Sequence, residues 1–155
     1  MTNLINKELL EQIKPLLKDD SSSVRDSASN ALGSILQAMP AIDALEQIIP
    51  LLKDNDMDVR ASASKALGQI ANSDPSLAKD ALEQIIPLLK DNYWYVRSCA
   101  SKALGSILQA DPSLAKDALE HIIPFLKDDS DNVRDSASNA LGSIVELLKL
   151  NQKGK

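Results

Sequence analysis

Apolar and polar positions follow one another along this chain with a helical rhythm, and the rhythm itself recurs. Between Val96 and Ile107 the apolar residues are Val96, Ala100, Ala103, Leu104 and Ile107. These are positions i, i+4, i+7, i+8 and i+11, one face of an α-helix. The same face returns at Val24–Ile35, Val59–Ile70 and Val133–Ile144. Each valine is followed by an arginine and each leucine by a glycine. Arg25, Arg60, Arg97 and Arg134 are spaced 35, 37 and 37 residues apart, and Pro15, Pro50, Pro87 and Pro124 keep the same spacing. A fixed period of this size predicts stacked supersecondary units that present an extended binding surface.

A second apolar pattern precedes each of these stripes. In the third unit, Asp74-Pro75 is a helix-start signal, with Asp suited to cap and Pro to the first helical position. Leu77, Ala78, Ala81, Leu82, Ile85, Ile86, Leu88 and Leu89 follow at helical spacing. Pro87 lies inside that run and removes a backbone bond, which predicts a bend. A short polar turn leads to the second helix. Asp20, Asn55, Asn92 and Asp129, five residues before each arginine, are expected to cap it. Each unit is therefore a helix pair, A then B, and the fold class is an all-α solenoid. The four units span about residues 4–39, 40–73, 74–110 and 111–150, within a single domain over 1–155.

Two constant columns carry the packing argument. Gly33, Gly68, Gly105 and Gly142 sit mid-helix, where glycine costs about 1 kcal/mol relative to alanine. A serine precedes each by four residues. This small-residue ridge is read as a close approach between neighbouring helices, the alternative being an inner face kept shallow for a partner. The arginines lie at the helix end that disfavours cations. Asp19, Asp54, Asp91 and Asp128, each six residues earlier, are expected to pair with Arg25, Arg60, Arg97 and Arg134 in a ladder running from one unit to the next.

Composition narrows the function. The chain of 155 residues has 44% apolar residues, only 3% aromatics and a net charge of −5. A nucleic-acid binder usually carries a basic footprint, which is missing here. One cysteine excludes an internal disulfide framework and fits a reducing compartment, the cytoplasm. No segment is long and apolar enough to span a bilayer. No phosphate loop, dinucleotide fingerprint or nucleophile elbow occurs. One histidine and one cysteine cannot build a conventional zinc site. Neither catalytic residues, nor a metal site, nor a cofactor is expected.

Specificity is sought where the units differ. Three residues before the arginines stand Ser22, Met57, Trp94 and Asp131, and in the third unit Tyr93-Trp94-Tyr95 brings the only Trp and both Tyr together. Trp and Tyr are enriched at binding hot spots. Met57, Tyr93, Trp94, Tyr95, Ser98, Lys65 and Lys102 form the candidate partner-binding set on an exposed stripe. A plainer reading has Trp94 folding over Met57 or an aliphatic stem to shield the core. Cys99 replaces a serine and reads as a small helix residue. His121 stands where other units have Gln and reads as an exposed helix position.

The Asp-x-x-x-x-Val-Arg turn and the Ala-rich helix ending in Ala-Leu-Gly resemble HEAT repeats, four times in register over about residues 4–150. The resemblance implies a right-handed superhelix, with A helices on the convex side and B helices on a concave side that grips another protein. The leading function is a non-catalytic protein-interaction scaffold with a protein or peptide partner and neither nucleic acid nor membrane. The units are unusually alike: Asp26–Ile35 and Asp135–Ile144 are identical. That raises a second reading, a designed or consensus array without a natural partner. A third is a HEAT-like enzyme subunit of the bilin lyase or DNA glycosylase type. Toward the ends, Lys14 replaces isoleucine as an N-terminal cap, and the linker around Pro40 is two residues shorter than the others, so the first junction is expected to differ. The apolar run Val145–Leu150 either folds over the stack, pairs with a second copy, or continues a longer array.

Overall fold

A computed structural model describes residues 2–153. Eight α-helices follow one another: α1 (Thr2–Ile13), α2 (Ser22–Gln37), α3 (Ala41–Ile48), α4 (Met57–Ser73), α5 (Ala78–Ile85), α6 (Trp94–Ala110), α7 (Ala115–Ile122) and α8 (Asp131–Lys153). Odd-numbered helices are the A members and even-numbered helices the B members of four stacked pairs. A single apolar core runs from Leu10 in α1 to Ile144 in α8. Its side chains are the alanine, leucine and isoleucine columns of the periodic stripes.

Each A helix changes character at its proline. The α-helical part stops at Ile13, Ile48, Ile85 or Ile122. A 3-10 segment follows, Lys14–Lys18, Ile49–Lys53, Ile86–Lys90 or Ile123–Lys127, with the proline in its first turn. The proline has no N–H to return to the carbonyl four residues back, so the tighter pattern takes over. The expected bend is thus a change of helix type. The next aspartate turns to extended backbone, near φ −60° and ψ 150°, and ends the helix.

The caps of the B helices lie one residue later than expected. Ser21, Asp56 and Tyr93 occupy the cap positions of α2, α4 and α6, and only Asp56 bonds through its side chain, to the N–H groups of Asp58 and Val59. Asp20, Asn55, Asn92 and Asp129 are not the caps. The turn is shaped instead by the preceding aspartates. Asp19, Asp54, Asp91 and Asp128 each accept the backbone N–H two residues on, at 2.9 to 3.0 Å. This is the local side-chain turn that aspartate favours. At the third and fourth units, Asp74 and Asp111 do cap, each bonding the serine two residues on.

The B helices do not pack equally. α4 lies closely along α6, and α6 along α8, whereas α2 and α4 meet over a much smaller area. The glycine column explains the difference. A Cβ on Gly68 would stand 3.3 Å from Ser106 Cβ and 3.4 Å from Ala103 Cα, so glycine permits the α4–α6 approach. A Cβ on Gly33 would instead meet the Gln69 side chain, at 3.2 Å. Gln69 occupies the column that holds Ser34, Ser106 and Ser143 in the other units. Its longer side chain lies against Gly33 at this wider junction, and α3 follows Pro40 directly, without the 3-10 turn that opens the third and fourth units. Around Gly105 and Gly142 no such contact exists. The close-packing explanation therefore holds for Gly68 and fails for those two.

Candidate functional site

The arginine column sets the edge on which the aromatic residues sit. Arg60 Nη1 donates to the carbonyls of Asp54 and Asn55, at 2.9 and 3.1 Å, tying down the turn of its own unit. Its Nε and Nη2 reach across to Asp91 in the next unit, at 2.8 and 3.1 Å. Arg97 repeats both halves, bonding Asp91 and Asn92 carbonyls and then Asp128 at 2.9 Å through each nitrogen. These are two-pronged, partly buried pairs, the strongest geometry open to arginine and a carboxylate. Hydrogen bonding to Asp91 and Asp128 raises the Arg60 and Arg97 guanidinium groups above their ordinary range. Burial pushes the Asp128 carboxyl up, but hydrogen bonds from Arg97 and from Ser130 N–H hold it below the usual carboxylate range.

The outer rungs differ. Arg25 bonds the carbonyls of Asp19 and Asp20 but forms its ion pair with Asp58, at 3.2 Å, and not with Asp54. Arg134 bonds the Asp128 carbonyl and turns to Asp131 in its own helix.

Against this frame stand the three aromatics at the start of α6. The Tyr93 ring lies under the Arg60 guanidinium, 5.7 Å from centroid to Cζ. Tyr95 accepts a hydrogen bond from Lys65 Nζ at 3.0 Å. Burial lowers the Lys65 amine, but the Tyr95 hydrogen bond and nearby charges leave it above the ordinary lysine range. Trp94 meets Tyr95 edge to face, centroids 5.7 Å apart. Tyr93 and Tyr95 are held from the preceding unit, while Trp94 and Tyr93 remain 46% and 50% exposed. Met57 is half-buried and packs against the core. Lys65 and Lys102 are exposed.

Ser98 does not belong with them. It is buried, and its hydroxyl shares a 2.8 Å hydrogen bond with Ser136 between α6 and α8. Ala61, in the same column, is buried too. The same column is exposed at Asp26 and Asp135, so the exposed stripe is broken only in the two inner units. Cys99 is buried, and burial raises its thiol above the ordinary value, the wrong direction for a nucleophile. His121 is half-buried. Among the described residues no group of three or more His, Cys, Asp or Glu is placed to hold a metal ion. No helix among them is long and apolar enough to cross a membrane.

The wider first junction adds a groove that sequence reasoning missed. A cavity of about 190 Å³ lies between α2 and α4, floored by Leu36, Met39, Ala44 and Ile70, with Gln37 and Gln69 at its rim. It adjoins a larger polar groove of about 430 Å³ lined by Asp26, Asn30, Ser62 and Lys65. Lys65 thus links the groove to the aromatic edge. The available signal was Gln69 in a serine column, together with the short Pro40 linker.

The profile described as HEAT repeats matches residues 45–142, and a HEAT repeat profile matches residues 9–39. This chain belongs to the HEAT repeat family. No curated protein sequence matches it. Among solved structures, an engineered protein is 30% identical, with a TM-score of 0.62, over 86% of this HEAT repeat chain and 62% of its own length. A designed armadillo repeat protein in complex with the peptide (KR)4 is 23% identical, with a TM-score of 0.62, over 91% and 66%. Human deoxyhypusine hydroxylase in complex with glycerol is 20% identical, with a TM-score of 0.61, over 96% and 47%. The HEAT repeat chain spans less than two thirds of each of these structures, and the last two likenesses concern the fold alone.

Proposed function

We propose that this chain is a non-catalytic, cytoplasmic scaffold, a single repeat domain over 1–155, that binds a protein or peptide segment along its B-helix side. The observation that carries the reading is the exposure of Trp94 and Tyr93 in the middle of the array, on rings already oriented by Arg60, Lys65 and each other. Rigid aromatic side chains that lose little freedom on contact are the usual anchors of an interface. A local sacrifice supports it. Tyr93 stands in the cap position where Asp56 bonds two N–H groups, and its own side chain makes no such bond. Giving up a cap costs about 1 kcal/mol, and local rules tend to be broken at functional sites. Lys65 joins the edge through Tyr95, and the groove beside Gln69 offers a pocket for an apolar side chain with carboxamides at its rim.

The test is selection of binding peptides from a random library with the wild-type chain, followed by affinity measurement on Trp94→Ala. A hot spot predicts affinity lowered by about 30-fold with the melting temperature unchanged. A lowered melting temperature with unchanged peptide affinity assigns Trp94 to packing and sinks the reading. A designed array without a natural partner is the second reading, supported by the identity of Asp26–Ile35 with Asp135–Ile144 and by likeness to an engineered protein. It predicts that no selected peptide depends on Trp94.

A further inference from the structure

Two of the seams between neighbouring B helices are closed. Between α4 and α6, Gly68 stands close enough to Ser106 and Ala103 to crowd an added Cβ, and between α6 and α8 the Ser98 and Ser136 hydroxyls bond across the gap. The seam between α2 and α4 is open, with a helix of the solenoid for each wall. From Asp26 to Gln37 it follows three turns of α2, a rise of about 16 Å. An extended chain covers that length in about five residues.

The seam has two parts with different chemistry. At one end lies the cavity of about 190 Å³, whose floor of Leu36, Met39, Ala44 and Ile70 is buried and apolar. A cavity of about 150 Å³ with aliphatic walls takes up benzene, so this one has room for a leucine or phenylalanine side chain. Gln37 and Gln69 stand exposed at its mouth. Asn30, Ser34 and Ser62 continue the lining along the polar part, which also holds Asp26 and Lys65. Those two charges are opposite, so the lining has no net charge, and the Lys65 ammonium already donates to Tyr95. Carboxamides and hydroxyls both donate and accept hydrogen bonds. A strongly charged ligand meets no matching field here. A peptide backbone, with its alternating N–H donors and carbonyl acceptors, meets partners for both.

We propose that this seam holds an extended, uncharged peptide segment that lies along α2 and α4, inserts one apolar side chain into the cavity, and bonds through its backbone to Gln37, Gln69 and Asn30. This rests on the reading that the chain binds a peptide, and adds the chemistry and direction of the bound segment. The segment runs parallel to the B helices, and its far end emerges beside Lys65 and Tyr95, next to the aromatic edge.

Short random peptides displayed on phage, selected on Trp94→Ala, provide the test, because that background lacks the aromatic anchor and keeps the seam. Fluorescence polarisation then measures synthetic copies of the selected peptides on Trp94→Ala alone and combined with Ala44→Leu or Gln37→Ala. Thermal unfolding checks that each variant is folded. The selected peptides share one essential apolar residue. Ala44→Leu places an isobutyl group in the cavity and weakens binding by about tenfold or more, and Gln37→Ala weakens it by about fivefold. An ester in place of the backbone amide beside the apolar residue has an effect of about the same size, which a surface that held side chains alone would not show. Affinity is insensitive to salt. The proposal is overturned if Trp94→Ala yields no binding peptide, if Ala44→Leu leaves affinity unchanged, or if the selected peptides are charged and lose affinity steeply with salt. Should Ala44→Leu fail to fold, Gln37→Ala and the ester decide, and no effect from either overturns it. The two readings fail separately. Peptides that need Trp94 and tolerate Ala44→Leu support the aromatic edge and overturn the groove, whereas peptides that need the cavity and never Trp94 do the reverse.

Discussion

At the level of single residues, the arginine column does two jobs, and their energies differ. The Nη1 bonds to turn carbonyls are local and recur in all four units. The cross-unit pairs are confined to Arg60–Asp91 and Arg97–Asp128, where both partners are mostly buried. Removing one member of such a pair leaves the other desolvated and unpaired, a larger effect than the pair itself contributes. Asp128→Asn is expected to cost about 3 kcal/mol at neutral pH, measured by urea denaturation. The pH dependence has a definite sign. Asp128 is held below the usual carboxylate range, so its contribution is complete above that range and is lost as pH falls through the lowered value. The gap between wild type and Asp128→Asn should be flat above about pH 5 and close as pH falls below about 4. A gap that widens on acidification would contradict the pairing. The period made this column legible from spacing alone. Spacing did not reveal that Arg25 pairs with Asp58 instead of Asp54, because Asp58 lies outside the periodic aspartate column.

At the level of elements, one repeated glycine has three environments. Gly68 lets α4 and α6 approach, Gly33 faces a movable glutamine, and Gly105 faces open space. The cost of mid-helix glycine is the same in each, so substitution separates packing from propensity. Gly105→Ala is expected to stabilise the protein by about 1 kcal/mol, since nothing lies within reach of the added methyl group. Gly68→Ala is expected to destabilise it by about 1 kcal/mol, because the methyl meets the Ala103 backbone and helix propensity only partly offsets the clash. Thermal unfolding of both variants measures the contrast, and equal shifts would refute the packing account of Gly68. The sequence supports the helix pairs and the proline break, since both follow from local backbone chemistry. It misplaced the caps by one residue. In a run such as Asp54-Asn55-Asp56 every member can cap, and only the turn bond from Asp54 to the N–H of Asp56 selects the last. It also read the Ser98 column as exposed. That holds at Asp26 and Asp135 and fails at Ala61 and Ser98, where neighbouring B helices pack closely, which no single-helix pattern displays.

Across the whole molecule, stability in a linear stack is a sum of unit terms and junction terms, so a weak junction stays local. The α2–α4 junction is the weak one. Gln69 stands between its helices against Gly33, its ion pair is the solvent-screened Arg25–Asp58 contact, and a cavity of about 190 Å³ replaces close packing. The α4–α6 and α6–α8 junctions have two-pronged ion pairs, and the Ser98–Ser136 bond further ties the α6–α8 seam. The first unit also exposes Leu4, Ile5, Leu9 and Leu16, so burial holds it least. It should therefore open alone before the array unfolds. Hydrogen exchange is expected to show amides of α1 and α2 exchanging at least tenfold faster than those of α4 and α6 at matched intrinsic rates. Gln69→Ser restores the residue found in the other units. It is expected to narrow that difference by letting α2 settle against α4, and to reduce the groove at the same time. Uniform protection across all four pairs, or a difference that Gln69→Ser leaves untouched, would show that the first junction is as strong as the rest. The groove beside the aromatic edge and the looseness of the first unit would then have separate origins, leaving the short Pro40 linker to account for the groove.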